Sequence, residues 1–285
     1  MLSISVEYPT DWKDYELIDT GEGMKLERFA TYIVARPDPR ILWTKRAPET
    51  TWNEAHAMYV RTSATEGHWK KRVDPPTPWL MRYGDLTFTL RPTEFKHVGV
   101  FPEQATNWDW IDARARGLKI LNLFAYTGGA TLAAASAGAF VTHVDSVRSV
   151  ITWARENAAL SNLDKTPIRW IEDDVYKFVV REGRRGSAYD GIVMDPPRFG
   201  RGTKGEVWKI EEDLPKLLEA CKKILSPKPA FFLINAYTAD LSSLVLHHLL
   251  RDILPGGKIE YAELALKDSI GGRLLPNGIF ARWSI

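Results

Sequence analysis

The chain has 285 residues, 45% hydrophobic and 26% charged, a globular mixture long enough for about two domains. Its single cysteine, Cys221, excludes an intrachain disulfide and a cysteine zinc cluster, and no apolar run reaches the roughly 18 residues of a membrane-crossing helix. A net charge of +2 excludes strong, sequence-blind attraction to nucleic acid by charge alone. The start "MLSISVEYPTDWKDYE" has no basic stretch followed by an apolar one, so no secretory leader is expected. With one cysteine, a reducing, cytoplasmic setting is the expectation. The six histidines show no ligand spacing, so no metal is expected either.

Residues 1–95 hold five of the eleven tryptophans, with many prolines and short alternating stretches. "YELIDT" (15–20), "KLERF" (25–29), "YIVARP" (32–37) and "LTFTLRP" (86–92) have the period-two pattern of strands. A helix is expected around "NEAHAMYVRTSA" (53–64), and "DPPTP" (74–78) is a rigid turn. From residue 96 the pattern changes to strand alternating with helix. Helices are expected at 102–117, 128–138, 148–162, 175–183, 207–225 and 240–254. Strands are expected at 119–124, 140–145, 167–174, 189–197 and 230–237. The chain then closes with 258–266 and 279–285, two strands too close to enclose a helix. Such alternation implies a parallel sheet with right-handed crossovers, ending in an antiparallel hairpin at one edge. Ligands of such sheets sit at the carboxyl ends of the strands, so function is sought there.

The first of these strands ends in "LNLFAYTGGATL" (121–132). Its glycines let backbone approach a ligand, and the following helix points free N–H groups at it. Tyr126 stands where the dinucleotide fingerprint G-x-G-x-x-G needs its first glycine. Two readings stand: a plain strand–turn–helix junction, or a cradle for a cofactor without a diphosphate, such as S-adenosylmethionine. Asp145 ends the next strand, roughly 20 residues on, where an acid can accept both ribose hydroxyls. Asp173 and Asp174 end the third strand. One of these carboxylates can accept from an adenine amine, with the N–H of Val175 facing the ring. Each acid also suits a helix N-cap, and only the set of loop, acid and acid at successive strand tips favours the ligand reading.

"VMDPPRFG" (193–200) is the sharpest signal. A strand delivers Asp195 to the carboxyl edge, and Pro196 and Pro197 stop it without donating hydrogen bonds. Asp195 and a free carbonyl could then accept from an amino group or base edge, and Phe199 could stack on a planar ring.

The combination of "LNLFAYTGG", Asp145, Asp174 and "DPPRFG" resembles class I S-adenosylmethionine-dependent methyltransferases, and within them the bacterial large-subunit ribosomal RNA branch. The resemblance is specific over 96–200, fair beyond, and weak before 95. It implies cofactor contacts from Asn122, Phe124, Ala125, Tyr126, Thr127 and Gly128, from Asp145 with Ser146, and from Asp173, Asp174, Val175 and Asp195. A segment like "FKHVGVFPEQ" (95–104) covers the cofactor in that branch, which makes Lys96, Phe101, Glu103 and Gln104 candidates for its methionine end. The family often carries arginine where Ala105 stands, so one polar contact is missing. Relatives that methylate cytosine C5 place a cysteine after the fifth strand. Here the stretch is "FLINAYTAD" (232–240), and Cys221 lies in an apolar helix. Without a thiolate C5 chemistry has no nucleophile. Direct in-line transfer to nitrogen or oxygen is expected instead, with Asp195, Pro196, Pro197, Phe199 and Asn235 or Tyr237 at the acceptor.

The expectation is therefore an α/β protein. A small β-rich α+β domain (1–95) precedes a Rossmann-like doubly wound sheet with an antiparallel edge hairpin (96–285). It binds S-adenosylmethionine and methylates RNA, ribosomal RNA being one candidate, with no membrane partner. A methyltransferase for a small molecule or protein, and a non-catalytic cofactor or RNA module, are the alternatives. Two weaker signals remain. "RFGRGTKGEVWK" (198–209), with Arg198, Arg201 and Lys204, is a phosphate-gripping lid or a solvated loop. "HWKKRVDPPTPW" (68–79) interleaves cations with Trp69 and Trp79, as single-stranded RNA sites do, although tryptophans facing a core explain it more simply.

Overall fold

The computed structural model describes residues 5–63, 66–201, 205, 207–237 and 240–285. The chain divides into two compact units. One holds Thr106–Leu264 with the two chain ends, through Glu7 and from Gly278. The other holds Tyr8–Ala105 and Ala265–Asn277. The boundary expected at residue 95 falls inside the second unit.

The strands of the large sheet are β1 (Ser5–Glu7), β2 (Lys119–Leu123), β3 (Phe140–Asp145), β4 (Ile168–Glu172), β5 (Gly191–Met194), β6 (Phe231–Ala236), β7 (Lys258–Lys267) and β8 (Leu274–Ser284). Helices α1 (Ala105–Asp112), α2 (Gly129–Ser136), α3 (Arg148–Leu160), α4 (Val175–Arg184), α5 (Ile210–Lys222) and α6 (Ser243–Ile253) alternate with them. The strand order is β1-β7-β8-β6-β5-β2-β3-β4. Strands β2 to β6 run parallel to their neighbours, and β8 runs antiparallel to β6. The closing pair β7 and β8 lies at the expected edge, with β1 added outside it, parallel to β7. β1 gave no sequence signal because three residues cannot show a period.

Alternate residues of the central strands feed two cores, the period-two signature of a sheet covered on both faces. Leu121, Ile192 and Phe232 pack with Phe178, Leu217 and Leu250 of α4, α5 and α6. Their neighbours Ile120, Val193 and Phe231 pack with Trp110, Ile111 and Ala134 of α1 and α2. Each such side chain contributes about 1.5–3 kcal/mol when buried. Cys221 belongs to the first core and is fully buried, which pushes its thiol far above the ordinary range. It is a packing residue, as expected. Strand order turns back between β2 and β5, since β3 and β4 are laid to one side and β6 to the other. That switch point fixes where a ligand can enter the carboxyl edge.

One polar chain crosses the α2 side. Asn122 Nδ2 of β2 donates to Thr131 Oγ1 of α2 at 2.9 Å, and Thr131 Oγ1 lies 2.9 Å from His143 Nδ1 of β3. All three residues are buried. Burial holds the His143 imidazole neutral, with its pKa lowered to about 3. Replacing Thr131 with valine keeps the shape but leaves two buried polar groups without their partner. Urea unfolding of Thr131→Val should show a loss on the order of 2 kcal/mol, and an unchanged midpoint would show the hydroxyl to be idle.

The second unit contains a five-stranded sheet in the order Tyr15–Gly21, Met24–Phe29, Tyr32–Pro37, Ala57–Arg61, Gly67–Lys71, and a hairpin of Leu80–Tyr83 with Leu86–Thr89. The helix expected over 53–64 is not there. Helix is confined to Glu49–Trp52, and Ala57–Arg61 is a strand. Aromatic and β-branched Tyr59 and Val60 favour a pleated surface, and the pairing of Tyr59 with Trp69 brings their rings to 5.5 Å. Inside this unit Arg36 grips Glu27 with two hydrogen bonds of 2.7 Å, and Tyr15 Oη donates to the same carboxylate at 2.9 Å. Burial alone would raise the Glu27 carboxyl, but Arg36 and Lys25 override it and hold it at about 2. A carboxyl lowered on folding stabilises above its unfolded range, and that stabilisation is lost as pH falls towards the folded value. Glu27→Gln leaves the Arg36 charge buried and unpaired, so it should cost about 3–5 kcal/mol at neutral pH. In urea titrations the gap to the parent protein should narrow as pH falls from about 5 towards 2.

Candidate active site at the carboxyl edge of the sheet

Five strand tips meet at one edge, and named hydrogen bonds join them. Ala125 N donates to Val144 O at 3.1 Å, linking the loop after β2 to β3. Asp173 N, just beyond β4, donates to Asp145 O at 3.1 Å. Asp195 N approaches Leu123 O at 3.4 Å, linking β5 to β2. Asn235 Nδ2 of β6 donates to Asp195 Oδ1 at 2.8 Å. The strand tips expected to converge are thus neighbours.

The loop after β2 has an unusual backbone. Phe124, Tyr126 and Gly128 all have positive φ, at 56°, 47° and 92°. Glycine tolerates this freely, and a Cβ at Gly128 would come within 3.2 Å of the Ala154 methyl. For Phe124 and Tyr126 the conformation is strained and must be held. Asp145 holds it. Its Oδ2 accepts from Tyr126 N at 2.9 Å and its Oδ1 from Val147 N at 3.0 Å. Burial raises the Asp145 carboxyl, while these amides and that of Ser146 oppose the shift. Asn157 of α3 ties the far side, donating to Thr127 O at 3.0 Å. The amide of Leu132 then starts α2 by donating to Gly128 O at 2.8 Å. Ala125 and Thr127 are buried, and Tyr126 lies 6.4 Å from the Trp153 ring. Asn122 is spent internally on Thr131.

The acids after β4 have work within the fold. Asp174 caps α4 by accepting from Lys177 N at 2.9 Å. Asp173 accepts from Asp174 N at 2.9 Å and pairs with Arg181 at 2.6 Å. Val175 is buried in the first turn. Each carboxylate oxygen retains accepting capacity beyond one partner.

After β5, Asp195 is half-buried, Pro196 buried and Pro197 exposed. Of the carbonyls near these prolines, that of Pro197 is not free: it accepts from Trp208 Nε1 at 2.6 Å. The indole N–H that satisfies it comes from a short ribbon, Phe199–Arg201 paired with Val207–Lys209. Phe199 is 53% exposed on that ribbon, and the Trp208 ring lies 5.0 Å from Phe124. Arg198 pairs with Glu211 at 3.7 Å and with Asp240, so its charge is balanced by acids. Lys204 lies outside the described residues. Asn235 is fully buried, and its Oδ1 has no hydrogen-bond partner among the described residues. Tyr237 is 37% exposed beyond the end of β6.

Phe101 and Gln104 belong to the second unit, as do Lys96 and Glu103. There Phe101 lies 5.1 Å from His97, and Gln104, half-buried, ends the short turn Pro102–Gln104. Burial raises the Glu103 carboxyl. Three residues that shape the site were missed by sequence reasoning. Asn157 and His143 were visible as polar residues on apolar stripes, whereas Trp208 gave no local sign of reaching back to Pro197.

Comparison with known proteins agrees with this geometry. A family model described as S-adenosylmethionine-dependent methyltransferase matches residues 54–248, more than half of the chain. The ribosomal RNA large subunit methyltransferase K of Neisseria meningitidis is 29% identical over 241 residues, covering 81% of this chain and 67% of that protein. The K/L enzyme of Shewanella frigidimarina is 32% identical over 150 residues, 52% of this chain. The chain spans about a fifth of the length of that relative, 21%. A crystal structure of the SAM-dependent methyltransferase from Agrobacterium tumefaciens superposes with a TM-score of 0.93 at 41% identity, covering 98% of this chain and 93% of that one. With its switch point, its loop and the matched span, the chain belongs to the S-adenosylmethionine-dependent methyltransferases.

Proposed function

We propose that the protein transfers a methyl group from S-adenosylmethionine to RNA, with large-subunit ribosomal RNA as the substrate, at a nitrogen or oxygen and without a cysteine nucleophile. The observation that carries this reading is the 2.8 Å hydrogen bond from Asn235 to Asp195 at the strand tips. It orients a carboxylate just ahead of Pro196 and Pro197, and Asn235 Oδ1 is a buried acceptor without a donor among the described residues. An acceptor amine brings N–H groups that such oxygens can hold while its lone pair is aligned. When bound, the cofactor supplies an electrophilic methyl carbon.

The residues present suit that cofactor. Asp145 has spent one lone pair of each oxygen on backbone amides and keeps others for a ribose. The backbone of loop 124–128 would lie along an amino-acid end. Asp173, Asp174 and Val175 would flank the adenine. Asn122, turned to Thr131, would act by shaping the loop from beneath. The choice of RNA rests on the names of the relatives and on the "DPPRFG" segment. It implies a cytoplasmic protein working beside ribosome precursors.

Three outcomes test the reading. Calorimetry with S-adenosylhomocysteine should show binding, weakened by on the order of 2–4 kcal/mol in Asp145→Ala. Asp195→Ala should bind the cofactor product as the parent does and lose methyl transfer. Labelled methyl groups should appear on ribosomal RNA from a strain lacking the gene. Label on protein or small metabolites alone would overturn the RNA assignment, and full turnover by Asp195→Ala would overturn the site.

A further inference from the structure

Residues 91–98 form a tight loop in the second unit. Arg91 N donates to Val98 O at 3.0 Å and Thr93 N to His97 O at 2.9 Å, which leaves Phe95 at the tip. The tip is gripped on both sides. Trp69 Nε1 donates to Thr93 O at 2.8 Å and Tyr59 Oη to Glu94 O at 2.6 Å. Beyond Phe95, Arg36 donates to Lys96 O at 3.1 Å, and Lys96 takes a left-handed φ of 62°. Three carbonyls flanking one phenylalanine are thus fixed by side chains from neighbouring strands. Yet Phe95 is 68% exposed, and its ring meets no other aromatic ring among the described residues. A scattered apolar side chain on a surface needs no explanation, but one displayed on a pinned tip does.

Cations lie near the loop, and Glu94, directly before Phe95, is an exposed acid. Tyr59 and Trp69 are register partners and share one face of the sheet. Residues two along a strand share that face, so Arg61 lies beyond Tyr59 and Lys71 beyond Trp69, on either side of the gripped loop. Both are exposed. Lys71 is paired with Asp74 at 3.3 Å, a surface contact of little strength. Burial first, then the nearby charges of Lys25, Arg36 and Arg61 against that of Asp38, lower Lys96 to about 8. A flat ring between spaced cations is the chemistry that holds a nucleobase and the phosphates beside it.

We propose that Phe95, flanked by Arg61 and Lys71, is a stacking contact for single-stranded RNA. The class of partner rests on the RNA reading above, and the surface adds residues of the second unit to that reading. It also revises the role of "HWKKRVDPPTPW": Trp69 anchors the loop, and Phe95 does the stacking.

The test is binding of a fluorescent, unstructured oligouridine to the full chain, compared with an RNA duplex of equal length and with an acidic peptide. The single strand should bind best. Phe95→Ala should weaken it by about tenfold or more, and Phe95→Trp should preserve it. Arg61→Ala should weaken binding and lower the salt slope by about one. Melting temperature should stay at the parent value. Unchanged oligouridine binding in Phe95→Ala overturns the inference, as does a preference for the peptide or the duplex. Either result leaves methylation of RNA standing, because that is read from the labelled product. Label found only on protein sinks the functional reading, while the oligonucleotide measurement still decides the fate of Phe95.

Discussion

The hydrogen bond from Tyr126 N to the Asp145 carboxylate, 2.9 Å long, is the constraint on which the candidate site depends. Two non-glycine residues in left-handed backbone cost on the order of 1–3 kcal/mol each. A buried carboxylate accepting two backbone amides is a charge-assisted arrangement strong enough to offset such strain. The carboxylate is itself costly to bury, which is why it would be expected to take further donors when a ligand supplies them. On the proposed reading, loop shape and affinity for a diol would both be properties of one side chain. This is a different solution from a glycine-rich turn, in which the backbone needs no support.

The same economy governs the other acids. Asp174 works as a helix cap and Asp173 is committed to Arg181, so both owe their positions to the fold before any ligand arrives. The two readings set against each other for these residues are not exclusive. A cap fixes the rotamer of a carboxylate and leaves its second oxygen for other use. Asp195 differs, because the group that orients it is the buried amide of Asn235, whose own oxygen lacks a donor among the described residues.

Much of the parallel sheet was legible because both its faces are buried. Apolar runs such as "KILNL" and "FFLINA" have only one stable use in a chain of this length, and the helices between them carry apolar stripes. The second unit was harder to read. Ala57–Arg61 looked helical until its partner strand was known, since the pairing of Tyr59 with Trp69 is a contact between distant residues. The strand pattern placed Asp145 and Asp195 at the strand tips, where the structure has them. It could not give away Trp208, which closes the Pro197 carbonyl from eleven positions along the chain. Nor could it show that Asn122 turns from the cofactor loop to Thr131 and His143.

On the proposed reading, transfer without a cysteine nucleophile sets what the rest of the site would have to do. Cys221 sits in the core with its thiol held protonated, so no thiolate is available there to activate a carbon. A nitrogen or oxygen acceptor already has a lone pair and needs alignment more than activation. Alignment calls for rigid acceptors on regular elements rather than a mobile nucleophile. Asp195 at the end of β5 and Asn235 within β6 meet that requirement, because adjacent parallel strands fix their spacing and the hydrogen bond between them fixes their orientation.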